Sequence, residues 1–178
     1  MIIEKKFVPL QPFVIPLNGL TQGSSRFDWH ADGTFFGNSG NQEILDADLA
    51  VAVHVEKTSR FFGVDAALSG KVKVLCDRCL EELELPVETG FRLSVKFGEN
   101  AEAADAGDRE IVMIPEGSQE LDLSQFVYDY TCTSLPMRRV HPEGECNPAA
   151  LKYLSTEEGA PGAPAAENPF AALKNILK

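Results

Sequence analysis

Apolar and polar residues alternate over long stretches of the first hundred positions. Alternation at period two marks a strand with one buried face. Residues 48–58 put Leu49, Val51, Val53 and Val55 on one side, and Asp48, Ala50, Ala52, His54 and Glu56 on the other. Residues 60–68 repeat the pattern with Phe62, Val64, Ala66 and Leu68. Gly70 punctuates it, and residues 71–75 alternate again into Cys76. A last pair of strands is expected over 84–87 and 91–97, with Leu93, Val95 and Phe97 inward and Arg92, Ser94 and Lys96 outward. Earlier, Phe27 and Trp29 share one face of a short strand over 25–30, and Asp32-Gly33 reads as a turn. Residues 1–20 read as an extended entry, since Pro9, Pro12 and Pro16 break any helix. Residues 110–115 make one more short apolar strand. This succession predicts an antiparallel, mostly meandering sheet or partial barrel.

The period changes over residues 119–130. Leu121, Leu123, Phe126, Val127 and Tyr130 stripe one face of a helix, with Asp122 or Ser124 as its cap. Leu135-Pro136 stops it. Residues 136–148 form a loop, and Asn147-Pro148 opens a second short helix over 149–154. The predicted fold class is therefore α+β: a partly barrel-like antiparallel sheet with one or two covering helices. Residues 99–110 are acidic and offer almost nothing to bury. Residues 155–168 are an Ala/Pro-rich tether. Residues 169–178 regain a stripe of Phe170, Leu173, Ile176 and Leu177, a terminal helix too short to stand alone in water. The expected organisation is a single domain over 1–154, the tether, and the tethered helix.

With 178 residues the chain is large enough to bury a core without metal or disulfides. Sixteen Lys and Arg face 27 Asp and Glu, a formal charge of −11. That repulsion disfavours non-specific binding to RNA or anionic lipid, yet leaves room for a local basic patch or a basic partner. The lysines near the N-terminus precede no apolar signal segment, and no stretch approaches the roughly 20 apolar residues of a membrane span. A cytoplasmic protein with reduced thiols is the expectation.

The candidate chemistry lies in the cysteines. Cys76-Asp77-Arg78-Cys79 is a Cys-x-x-Cys knuckle between two apolar runs. Such a pair can place two thiolates on one zinc, and Cys146 with His141 on one short loop are the best third and fourth ligands. Cys132 competes, but its neighbours Tyr130 and Leu135 suggest a small core hydrophobe. Three readings stay open here: one structural zinc, unligated buried thiols, or a redox pair. The thioredoxin-like version of the last fails on context, because no helix of normal length follows Cys79 before Pro86. His30 and His54 have no ligand partners in sequence. No phosphate loop, nucleophile elbow or metalloprotease motif occurs, so an enzyme is poorly supported. Arg78 inside the knuckle, and Arg138 and Arg139 beside His141, could form a phosphate-binding patch, or could neutralise acids such as Asp77, Glu81, Glu82 and Glu143.

These residues carry a resemblance. Gly70-x₅-Cys76-Asp77-Arg78-Cys79-Leu80-Glu81 is similar to the signature of the bacterial large ribosomal RNA subunit accumulation (YceD-like) family. So are Leu121-Asp122-Leu123, the aromatic helix through Tyr128, and Leu135-Pro136-x₄-His141-x₄-Cys146. Asn168-Pro169-Phe170-x₂-Leu173-Lys174 resembles the family's closing segment, although Phe170 stands where the family often has Arg. The likeness covers about residues 13–178. It implies a non-enzymatic accessory factor in synthesis, processing or accumulation of large-subunit ribosomal RNA, and in such a factor the arginine patch read above, Arg78, Arg138 and Arg139, is expected on RNA phosphates. It also directs attention to Cys76, Cys79, His141 and Cys146. The alternatives are an acidic adaptor for a basic ribosomal protein, and a thiol redox protein using Cys76 and Cys79.

Overall fold

The computed structural model describes residues 13–58, 62–98 and 107–154. In chain order the elements are β1 (Val14–Pro16), a single 3-10 turn (Leu17–Gly19), β2 (Gly23–Asp32), α1 (Gly33–Asn38), β3 (Ile44–Lys57) and β4 (Phe62–Leu75). Then come β5 (Glu82–Phe97), β6 (Glu110–Ile114), β7 (Glu120–Asp122), α2 (Ser124–Ser134) and α3 (Pro148–Leu154). Strands β2 to β6 form an open mixed sheet in sequential order, and β1 pairs with β7 in a separate two-stranded ribbon.

The long alternating runs are strands, as the pattern predicts. Leu49, Val51, Val53 and Val55 of β3, and Val64 and Leu68 of β4, are buried, while His54 is exposed. Burial of one face only is what alternation means physically. Helix α1 packs on β3 and α2 on β5. Phe35 and Phe36 of α1, with Phe13, Leu123 and Val127, close the core.

Several expectations need correction. The two runs flanking Gly70 are one strand, β4, and those flanking Gly90 are one strand, β5. The pairing β4–β5 continues through both glycines, Gly70 opposite Val87 and Ala67 opposite Gly90. The sheet is not wholly antiparallel: β6 runs parallel to β5, from Leu93 opposite Glu110 to Phe97 opposite Ile114. Parallel neighbours are joined by a crossover rather than a hairpin, which alternation within the strands does not reveal. Near that edge the inward–outward assignment slips: Ser94 is buried and Phe97 is 40% exposed, its ring edge-on to Phe62. The helix expected over 119–130 starts later, because Glu120–Asp122 is drawn into β7. Asp122 Oδ1 then accepts from Ser124 N, and no side chain caps α2 at Leu123. The tether 155–168 and the helix 169–178 lie outside the described residues.

Asp32 does not close a simple turn. Its carboxylate accepts from Phe35 N at 3.0 Å and caps α1, which carries Phe35 and Phe36 into the core. Replacing Asp32 with Ala should cost about 1 kcal/mol, because one helix N–H is left without an acceptor. A thermal midpoint unchanged within error would show that the cap contributes nothing.

Candidate metal centre

The knuckle forms where β4 ends. Cys76 N donates to the Glu81 carbonyl and Leu80 N to the Cys76 carbonyl, which closes a tight turn over 76–81 before β5 begins. The loop after α2 is laid against this turn. Asp77 N donates to the Arg139 carbonyl at 2.7 Å, and Arg139 N donates back to Asp77 Oδ2 at 2.6 Å. Asn147 Nδ2 donates to Glu81 Oε1 at 2.6 Å on the other flank. These clasps bring together segments some 60 residues apart in sequence.

The result gathers all four predicted ligands. The ligand atoms of Cys76, Cys79, His141 and Cys146 lie within 4.8 Å of one another. Cys76 Sγ is 3.8 Å from Cys146 Sγ, and His141 Nδ1 is 3.4 Å from Cys79 Sγ and 3.8 Å from Cys146 Sγ. A tetrahedral zinc with Zn–S near 2.3 Å and Zn–N near 2.0–2.1 Å sets ligand–ligand edges of roughly 3.6–3.8 Å. The three spacings of 3.4–3.8 Å lie close to those edges, and the whole group stays within 4.8 Å. All three cysteines are buried, and none is in a disulfide.

The surroundings prepare the donors. His141 Nε2 lies 3.0 Å from the Glu82 carbonyl, an acceptor only, so Nε2 carries the proton and Nδ1 turns its lone pair to the thiols. Burial alone would push the Cys76 thiol up. Hydrogen bonds from the backbone of Cys79, Arg78 and His141 outweigh it and bring Cys76 down to about 5. Burial raises Cys146, and Arg78 opposes that rise, its Nε donating to Cys146 Sγ at 3.0 Å. Three thiolates and a neutral imidazole around a divalent ion leave one negative charge, which the Arg78 guanidinium would balance.

The three predicted RNA-contact arginines have different settings. Arg78 is half-buried, held by Cys146 Sγ and by the His141 carbonyl at 3.1 Å. The Arg139 side chain is 20% exposed and lies between Glu43, at 2.8 Å, and Asp77, at 3.7 Å. Arg138 is exposed and has no ion pair among the described residues. Cys132 stands outside the cluster. It is half-buried beside Asn41 Nδ2 at 3.5 Å, and burial pushes its thiol up. His54 neighbours Ser24 and His30 neighbours Asp48, both on the exposed face of the sheet.

Sequence reasoning placed Asp77 among the acids that these arginines could neutralise, but it did not find Glu43 as a partner of Arg139 or Asn147 as the partner of Glu81. Asp77 and Glu43 serve Arg139, and Glu81 serves Asn147. Opposite charges in sequence hint at pairing, but the chain holds too many acids for charge alone to choose these.

A family model described as "Large ribosomal RNA subunit accumulation protein YceD" matches residues 64–177. The chain belongs to the YceD family. The match runs from β4 through the knuckle, α2 and the loop that supplies His141 and Cys146, so every candidate ligand lies within it. No curated protein and no solved structure matches the chain. Membership of the YceD family connects the chain with the accumulation of large-subunit ribosomal RNA. Among the described residues, no helix is long and apolar enough to cross a membrane.

Proposed function

We propose that this YceD-family chain is a non-enzymatic accessory factor in the maturation of large-subunit ribosomal RNA, with a structural zinc in its knuckle. The observation that carries this reading is that the family match covers the whole unit in which four ligand atoms converge while two arginines stay occupied inside it. The zinc joins the end of β4 to the loop after α2. Arg78 balances the charge of that centre, and Arg139 holds the loop against the knuckle. Of the three, Arg138 is then the arginine free to meet an RNA phosphate, since Arg78 is held by Cys146 and Arg139 by Glu43 and Asp77.

Crosslinking and immunoprecipitation of the tagged chain from growing cells tests this. Large-subunit precursor RNA should be enriched over small-subunit RNA, and Arg138→Ala should reduce that enrichment severalfold. A single lost phosphate contact should also lower the salt dependence of RNA affinity by about one counterion. Equal recovery of both RNAs, or an unchanged salt slope in the variant, would defeat the reading.

A further inference from the structure

Large apolar side chains stand exposed at the knuckle end of the sheet. Leu45 is 45% exposed, Leu75 44%, Leu80 72%, and Met137 fully. Leu45 is the bulged residue of β3, opposite the step from Val74 to Lys73. Leu75 is the last residue of β4, in register with Glu82. Leu80 is carried on the turn that follows, and Met137 sits two residues before Arg139, whose carbonyl receives the Asp77 N–H.

Leu80 is disfavoured twice in the isolated molecule. Its φ is 60°, and among the described residues no other non-glycine has a positive φ. Gly or Asn occupies this conformation without the clash of a branched side chain. Its side chain, 72% exposed, joins no core. The turn accounts for that backbone, since Leu80 N donates to the Cys76 carbonyl, but a large apolar side chain left exposed there in place of Gly or Asn points to a contact made with something else.

The surrounding charge selects that something. Glu43, Asp77, Glu81, Glu82, Glu143 and Glu145 reach the surface at this end. Lys73 is paired to Glu82, Arg139 lies between Glu43 and Asp77, and Arg78 turns inward to Cys146. Arg138, next to Met137, is exposed as well, and against it the six acids still leave the balance beside these apolar side chains negative. The acidic rim attracts cations and disfavours a second copy, which would set acid against acid, while a phosphate would find its cation at Arg138 instead.

We propose that the knuckle end is a docking surface for a cationic segment with an apolar face, presented by a basic protein. Leu80 and Leu75 enter the apolar face, and the acidic rim meets the cations. The surface goes beyond the RNA reading and uses other side chains than Arg138, so either can fail alone.

The test is fluorescence anisotropy with the full chain and three probes: an amphipathic leucine–lysine peptide, a serine–lysine peptide of equal charge, and a short single-stranded RNA. The leucine–lysine peptide should bind about tenfold tighter than its serine counterpart. Leu80→Asn should remove that advantage while holding or raising the thermal midpoint, because Asn accepts the positive φ. Leu75→Ser, on a regular strand, should weaken the same peptide without changing the turn. Equal binding of the two peptides overturns the proposal, as does full affinity in both variants. RNA that competes with the peptide and depends on Leu80 would assign the face to nucleic acid and overturn it. Self-association abolished by Leu80→Asn would assign it to a second copy, with the same consequence.

Discussion

Replacing Cys146 with Ser is expected to take bound zinc from about one per chain to near zero and to lower stability by about 4 kcal/mol. Cys79 and His141 are 62 residues apart, so an ion held by both halves of the cluster closes a long loop. Closing such a loop removes chain entropy from the unfolded state, much as a disulfide does, and loop length enters only logarithmically. The loss should be local. Leu49, Val64 and Leu93 are buried in the sheet beyond the strand ends that carry the knuckle, and none is a candidate ligand, so the far-ultraviolet signal of the strands should survive. Amide exchange should accelerate in the knuckle and in the loop from Met137 to Cys146, where Asp77 and Arg139 join the two. Cys132→Ser is the control, because Cys132 lies outside the cluster and should leave the zinc in place. Elemental analysis of chain purified under reducing conditions decides the matter. Well under one zinc per folded chain would return the thiols to the role of core residues, and equal metal loss in Cys132→Ser would disprove the ligand set.

Gly70→Ala should be the most damaging single-methyl change in the sheet, costing about 3–5 kcal/mol. An added Cβ there would sit 2.0 Å from the Asp48 carbonyl oxygen and 3.0 Å from Leu49 Cα. Neither atom can retreat. Both belong to β3, and the Leu49 side chain is fully buried next to that backbone. The φ of +152° adds strain that an L side chain rarely tolerates. Gly117→Ala separates the two causes: its φ is +87°, but nothing lies within 4 Å of the added Cβ. That variant should lose only about 1 kcal/mol. Chemical denaturation of the two variants side by side tests this. If Gly70→Ala costs no more than Gly117→Ala, close approach of the strands is not what requires glycine at 70.

Gly70 also shows where reading along the chain stops. In sequence it is a break between two short alternating runs. In the fold it is a close contact inside one strand of 14 residues, because β3 and β5 pair with β4 on both sides of it. Gly90 misleads in the same way within β5. A glycine's local tendency to interrupt a strand is weak beside a ladder of cross-strand hydrogen bonds. Helix α1 escaped for the opposite reason. Its six residues, with glycines at 33 and 37, are too few to show a helical period, and the core recruits Phe35 and Phe36 instead.

The alternation along β3 and β4 named the buried faces correctly, since which side of a strand is apolar is a property of the strand alone. The cysteine spacing and the loop pairing of His141 with Cys146 likewise singled out the four side chains that converge in the fold, because a knuckle and a short loop each bring two donors together locally. Joining these two halves was a different matter. It depended on the Asp77–Arg139 and Glu81–Asn147 clasps, which lie more than 60 residues apart in the chain. The parallel placement of β6 and the shift of α2 past β7 were settled in the same way. So was the occupation of Arg78 and Arg139 inside the site rather than on its surface. Each is a choice among many possible partners, and it is made by the burial and hydrogen bonding of the whole molecule, which no window of neighbouring residues contains.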